Sequence, residues 1–207
     1  MVPGRGSTIT AAVFLALLLL GAVAACHRQT GGDLAEAQTL ATVGVSSSSF
    51  SDGGRIPQKF TYDGSGTSPD IQMSSASSDT KSLLLVMDDP DASGFVHWIL
   101  YNIPPATRDI PEGASAQIAL PAGAAEGENS IHSNGYFGPC PPAPNPHHYL
   151  FSVYALDADL KLPPGQTKKE LASAIKGHVI AKGSMTGLYT EAADRPGIPP
   201  RGFGRLK

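Results

Sequence analysis

Two short clusters hold most of the side chains able to do chemistry. Asp88-Asp89-Pro90-Asp91-Ala92-Ser93 is followed by His97-Trp98, and Gly138-Pro139-Cys140-Pro141-Pro142 is followed by His147-His148-Tyr149. An anionic oxygen in a small cavity needs donors, and imidazole N–H, phenol O–H and backbone N–H groups supply them. His97, His147 and Tyr149 are therefore candidate anion contacts. A carboxylate is out of place beside a bound phosphate, because like charges repel strongly at low effective dielectric. Asp89 and Asp91 fit such a site in either of two roles. One of them accepts from the second nitrogen of a histidine and so sets its tautomer, or one faces the ammonium of a zwitterionic ligand such as phosphoethanolamine. The first role is preferred for at least one of them, since it requires no particular ligand.

Other chemistries use the same residues less well. Cys140 with His147 has the composition of a thiol nucleophile and its base, but two prolines flank the cysteine and no basic neighbour lowers its pKa. His97, His147 and Asp89 have the composition of a metal site, but they lack the close, regular spacing of metal ligands. The sequence is accordingly read as that of a binding protein rather than an enzyme, with no metal or cofactor expected.

These clusters act together only if the fold brings them to one place. Leu83-Leu84-Leu85-Val86-Met87 is apolar at every position, as a strand covered on both faces must be. His97-Trp98-Ile99-Leu100-Tyr101 and Tyr149-Leu150-Phe151-Ser152-Val153-Tyr154-Ala155-Leu156 share the aromatic and β-branched bias of central strands. Each histidine cluster thus opens a strand expected in mid-sheet, and the first carboxylate cluster closes another. Neighbouring central strands would bring these ends to one pocket. A first strand is expected over 40–45 and on toward Phe50, with further strands at Lys59-Phe60-Thr61-Tyr62 and Ile71-Gln72-Met73. Thr167 and Glu170 have the spacing of a capping box, with Leu171, Ala174, Ile175 and Val179 on one helical face and Gly183 as the stop.

Plainer roles are expected for the remaining polar and aromatic residues. An Asp-Pro-Asp run commonly forms a turn whose side chains cap their own backbone, which offers Asp91 a structural alternative. Asp88 is expected to be structural or solvated, Trp98 and Tyr101 to lie in the core, and His148 to point away from His147 because strand side chains alternate. His27, His132 and His178 are expected at the surface, and Lys168, Lys169 and Lys176 on a solvated helix face.

Composition bounds the whole. The chain has 207 residues with 23 Gly and 18 Pro, too many breakers for a long-helix bundle, since an internal proline costs about 3 kcal/mol in a helix. A formal charge of -3 and pI near 6.0 provide no clustered cations for nucleic acid. Arg5 precedes an apolar run from Ala11 to Ala25, shorter than the ~20 residues of a spanning helix. It ends at Val23-Ala24-Ala25-Cys26, which resembles a bacterial lipobox. Residues 1–25 are read as a lipoprotein signal peptide, 26–39 as a tether from lipidated Cys26, and 40–207 as the folded domain. Two acyl signals or more hold a protein on a membrane durably where one does not. His27 is not the acidic residue linked to inner-membrane retention, which favours the outer membrane of a two-membrane cell.

Asp89-Pro90-Asp91-Ala92 with His97-Trp98, and Gly138-Pro139-Cys140-Pro141-Pro142 with His147-His148-Tyr149, resemble the phosphatidylethanolamine-binding proteins, in particular their bacterial Raf kinase inhibitor-like branch. Asp52-Gly53, Tyr62-Asp63-Gly64 and Ser68-Pro69 extend the resemblance from about Leu40 to Leu188. It implies a mainly β fold, a Greek-key β-sandwich with a short C-terminal helix, and a small pocket for phosphate, acetate or a phosphatidylethanolamine headgroup. By position it implies Asp89, Asp91, His97, His147 and Tyr149 in that pocket, with Pro139 and Pro142 in its rim. Many members carry proline where this chain has Ser93, and Ala143-Pro144-Asn145-Pro146 is unusually proline-rich. The expected function is a membrane-anchored binding protein for a small anionic or phosphorylated ligand. Inhibition of an envelope or extracellular protease, through an unidentified protein partner, is the alternative that the resemblance leaves open.

Overall fold

The computed structural model describes residues 40–74, 76–115, 120–142 and 144–191. The expected signal peptide, Cys26, the tether and the last residues of the domain lie outside the described residues. The strands are β1 (Ala41–Thr42), β2 (Val45–Ser46), β3 (Gly54–Arg55), β4 (Ile71–Met73), β5 (Ser82–Asp89), β6 (Phe95–Ile103), β7 (Asp109–Ile110), β8 (Ala125–Glu126), β9 (His147–Leu156) and β10 (Val179–Tyr189). The single α-helix among the described residues is α1 (Lys168–Ala174). One sheet runs in the order β1-β10-β9-β5-β6-β8, with β3 also on β10, and a three-stranded sheet runs β2-β4-β7. The fold is mainly β, as expected.

The apolar run of β5 is buried on both sides because two cores meet at it. Leu83, Leu85 and Met87 join Trp98, Leu100, Tyr149, Phe151 and Val153 against Ile71, Met73 and Ile110 of the smaller sheet. Leu84 and Val86 join Ile99, Tyr101, Tyr154 and Leu156 against Leu171 and Ile175 of the α1 region. Trp98 and Tyr101 are core, as expected. Among the described residues no helix is long and apolar enough to cross a membrane.

The capping box at α1 is formed, with the Thr167 side chain accepting from the Glu170 backbone and Glu170 accepting from that of Thr167. The helix is shorter than expected. Gly177 adopts φ 81, and from Val179 the chain is β10 rather than a helical face. Gly183 lies within that strand and is not a helix stop. A Cβ there would come within 1.7 Å of the Val43 carbonyl oxygen, so β1 can lie against β10 only if this position is bare.

Two further expectations are corrected. Lys59-Phe60-Thr61-Tyr62 is not a strand. Gln58–Phe60 forms a 3-10 turn with Phe60 buried, the apolar alternation arising from a packed turn. The first strand divides into β1 and β2, and the serines after it serve Asp70 instead. Asp70 accepts from Ser47 Oγ at 2.9 Å, Ser48 N at 2.7 Å, Ser48 Oγ at 2.8 Å and Ser49 Oγ at 2.6 Å. Burial opposes the charged carboxylate, but these donors outweigh it and hold its pKa at about 2.

Candidate functional site

Antiparallel pairing assembles the site. β5 pairs antiparallel with both β6 and β9, so the C-terminal end of β5 lies beside the N-terminal ends of the other two. Asp89 ends β5, His97 lies near the start of β6, and His147 and Tyr149 begin β9. Met87 faces Phe151 across the β5–β9 pair, and side chains two apart share a face, so Asp89, Tyr149 and His147 project to the same side.

His97 reaches that side through a bulge. Met87 pairs with Trp98 and Asp88 with Val96, so one step on β5 spans two on β6, and His97 is the extra residue. Bulges re-aim a side chain in this way. Asp88 points to the other face, where Lys168 of α1 donates to it at 2.5 Å. Lys168 is thus an ion-pair partner rather than a purely solvated lysine.

The polar contacts are specific. His147 Nδ1 lies 2.7 Å from Asp89 Oδ2, with the side chains 15% and 3% exposed. The Ala92 N–H donates to the other oxygen, Asp89 Oδ1, at 3.1 Å, capping the 3-10 turn Pro90–Ala92. His97 Nδ1 lies 2.8 Å from the Phe137 carbonyl, and the Phe137 N–H donates back to the His97 carbonyl at 2.8 Å. A carbonyl only accepts, so Nδ1 of His97 carries the proton and Nε2 of the neutral ring keeps its lone pair. The ring is 2% exposed. Burial holds its pKa below the ordinary histidine value, against the opposing pull of the Phe137 carbonyl and Asp89. His97 therefore presents an acceptor to the site, where an imidazole N–H donor was expected.

Aromatic rings enclose His97. Phe137 stacks at 5.9 Å and 15°, Phe95 lies at 4.8 Å, and Tyr149 meets it edge-on at 5.1 Å. Tyr62, half exposed, packs on Phe137 at 5.7 Å. Tyr149 is fully buried, and its hydroxyl has no hydrogen-bond partner among the described residues. Burial, reinforced by Asp89 and then Cys140, raises its phenol pKa well above the usual range. Its neighbours are satisfied: Tyr136 Oη donates to the Phe60 carbonyl at 2.5 Å and Tyr189 Oη to Asp63 at 2.7 Å. Cys140 is partly buried, and burial followed by Asp63, Asp89 and Glu191 pushes its thiol up to about 11. Such a thiol stays protonated near neutral pH, which works against thiolate chemistry.

The structure thus gathers Asp89, His97, His147 and Tyr149. Asp91 is placed differently. Its Oδ2 accepts from the His148 N–H at 2.7 Å and from His148 Nδ1 at 2.8 Å, which fastens the 3-10 turn to the start of β9. The backbone N–H of His148 is the main reason its pKa is lowered. His148 points away from His147, as alternation requires, and both His148 and Asp91 are substantially exposed. Pro139 is buried and its carbonyl accepts from the Tyr62 N–H at 3.0 Å, while Pro142 is exposed. Ser93 closes the turn at φ 57 and ψ 33, a conformation closed to proline, whose ring fixes φ near about −65°.

Phe95, Phe137 and Tyr62 were not nominated from sequence. Only the position of Phe137 directly before Gly138-Pro139 pointed toward the site. Among the described residues no group of three His, Cys, Asp or Glu side chains is placed to hold a metal ion. What the cluster offers is a carboxylate-oriented histidine, a histidine lone pair and a spare phenol O–H.

Comparison with known proteins bears on this arrangement. A family model described as "Phosphatidylethanolamine-binding protein" matches residues 46–190. The chain is 45% identical over 148 residues to "UPF0098 protein PH1269" of Pyrococcus horikoshii, covering 69% of this chain and 74% of that one. It is 39% identical over 148 residues to "Putative lipoprotein LppC" of Mycobacterium tuberculosis, covering 70% and 71%. Among solved structures it resembles a "Putative PhosphatidylEthanolamine-Binding Protein (PEBP) Homolog" from Chlamydia trachomatis, with TM-score 0.66, 37% identity and coverage of 72% and 98%. It also resembles E. coli YbcL, described as a new member of the mammalian PEBP family, with TM-score 0.68, 28% identity and coverage of 73% and 99%.

Proposed function

The chain belongs to the phosphatidylethanolamine-binding protein family, and from that premise we propose that it binds a small anionic or phosphorylated ligand, phosphate or a headgroup such as phosphoethanolamine, without transforming it. The carrying observation is the convergence of the Asp89–His147 pair, His97 and the unpartnered Tyr149 hydroxyl at the common end of three central strands. Asp89 is already engaged by His147 and the Ala92 N–H, so it holds the His147 ring instead of facing the anion alone. The raised pKa of Cys140 supports binding over nucleophilic catalysis.

We further assign the chain to the bacterial Raf kinase inhibitor-like branch and to the cell envelope, anchored through lipid on Cys26, with the outer membrane favoured where there are two. The apolar run ending at Val23-Ala24-Ala25-Cys26 supports the envelope anchor, as does the name of the mycobacterial relative.

Calorimetric titration with phosphate and with phosphoethanolamine tests the ligand. Wild-type protein should bind, and His147→Ala should bind at least tenfold more weakly, because it leaves the buried Asp89 carboxylate facing the anion without its partner. Absence of binding by the wild type at millimolar ligand overturns the reading. For the anchor, Cys26→Ser should move the protein to the soluble fraction, and a wild-type N-terminal peptide without acyl mass overturns it.

A further inference from the structure

The donors and acceptors gathered around Asp89, His97, His147 and Tyr149 restrict what kind of anion they can hold. We propose that the cluster selects an anion carrying its own proton, a dihydrogenphosphate or phosphomonoester monoanion, whose P–OH donates to Nε2 of His97 while its charged oxygens accept from Tyr149. Phosphodiesters and sulfate lack that proton. The inference rests on the proposed anion-binding role and narrows the ligand class.

The argument begins at the Phe137 carbonyl. Because it can only accept, the proton on His97 stays on Nδ1, and the other ring nitrogen is left as a lone pair. Phe95, Phe137 and Tyr149 pack around this 2%-exposed ring, an environment that disfavours a second proton. An anion with oxygen lone pairs alone would set acceptor against acceptor there. Tyr149 supplies the complementary group, a buried O–H that no atom of the described residues uses.

Charge points the same way. Asp89 neighbours Tyr149, His97 and Cys140, while Asp63 and Glu191 also act on Cys140. Lys168 is engaged by Asp88 on the opposite face of the sheet, and Arg55 lies over the ring of Tyr189. A cluster with this many carboxylates around it holds a monoanion more readily than a dianion. Sulfate fails on both counts, and a phosphodiester fails on the proton alone, so the two probes separate charge from hydrogen bonding.

The test is a calorimetric series on the purified protein at about pH 5.5, where a phosphomonoester with a second ionisation near 6 is mostly singly charged. The probes are inorganic phosphate, phosphoethanolamine, glycerophosphoethanolamine and sulfate. Leaving a buried acceptor unpaired is worth roughly tenfold or more in affinity, so phosphate and phosphoethanolamine should bind at least tenfold more tightly than the diester or sulfate. Tighter binding of phosphoethanolamine than of phosphate would identify a headgroup-derived ligand, and equal binding free phosphate; both support the proposal. Sulfate or the diester binding within threefold of phosphate overturns it while leaving the anion-binding role intact. No binding by any probe overturns both.

Ring-nitrogen NMR of His97 in the phosphate complex is an independent check. A neutral Nδ1–H ring is expected, and an imidazolium pattern overturns the proposal. In folded His97→Gln, whose amide can donate to sulfate, the phosphate-to-sulfate ratio should fall below threefold. A ratio retained in that variant also overturns it.

Discussion

Tyr149→Phe should make the protein more stable and a poorer binder. The Tyr149 side chain is fully buried, and no group among the described residues accepts from its hydroxyl. A buried hydroxyl without a partner costs about 1–3 kcal/mol. Phenylalanine keeps the ring and its 5.1 Å edge contact with His97, and it loses only the oxygen. Offsetting the small void left behind, the net gain should be about 1 kcal/mol, which for a domain of this size corresponds to roughly 2–4 °C in Tm. Tyr136→Phe is the matched control. Its hydroxyl donates to the Phe60 carbonyl, so the same change leaves a carbonyl unpaired and should destabilise by about 1 kcal/mol or more. Thermal unfolding in phosphate-free buffer, followed by circular dichroism, reads both. Phosphate titration should then show at least a fivefold weaker Kd for Tyr149→Phe and an unchanged one for Tyr136→Phe. A Tyr149→Phe protein that melts below wild type, or that binds phosphate equally well, refutes the reasoning. Opposite signs for chemically identical substitutions are hard to obtain from any non-specific effect.

Three other expectations follow from individual contacts. The Asp70 carboxylate, held at about 2 in the fold against an ordinary 3.8, contributes about 2 kcal/mol that is fully present above pH 4 and lost as pH falls toward 2. Denaturant titrations should show this acid sensitivity largely absent in Asp70→Asn, and an unchanged pH profile would count against the serine network. Gly183→Ala should loosen β1, since the new Cβ meets the Val43 carbonyl oxygen. A loss of about 2 kcal/mol with faster amide exchange at Val43, whose N–H donates to Lys182, is expected, and wild-type stability would show that β1 need not lie so close. Cys140, with its thiol pushed up to about 11, should be alkylated slowly at pH 8 and about tenfold faster per pH unit up to pH 10, whereas a rate already level by pH 9 would contradict its burial beside the local carboxylates.

What could be read in the sequence was whatever depends on near neighbours in the chain. The runs that became β5, β6 and β9 are legible because a strand buried on both faces has no room for polar residues, and Thr167 with Glu170 is legible because a capping box closes within one helical turn. β10 was missed for the opposite reason. Its glycines suit contacts made elsewhere, Gly183 against Val43 and Gly187 against Ile56 and Phe50, and a strand interrupted by glycine for the sake of a distant neighbour loses its own pattern. The same division runs through the site. Alternation along β9 was enough to separate His147 from His148, and the two do turn to Asp89 and Asp91 respectively. The state of His97 was not legible, because it depends on register between strands. A slip of one residue between β5 and β6 turns the ring to the Asp89 face, and a carbonyl forty positions downstream accepts from its Nδ1 and so fixes the tautomer. Residue types named the groups proposed to meet an anion, but which of them give and which receive was set by pairings that only the folded chain makes. For that reason a family resemblance can carry over the identity of a binding side chain, while the sense of its hydrogen bond has to be established in each member.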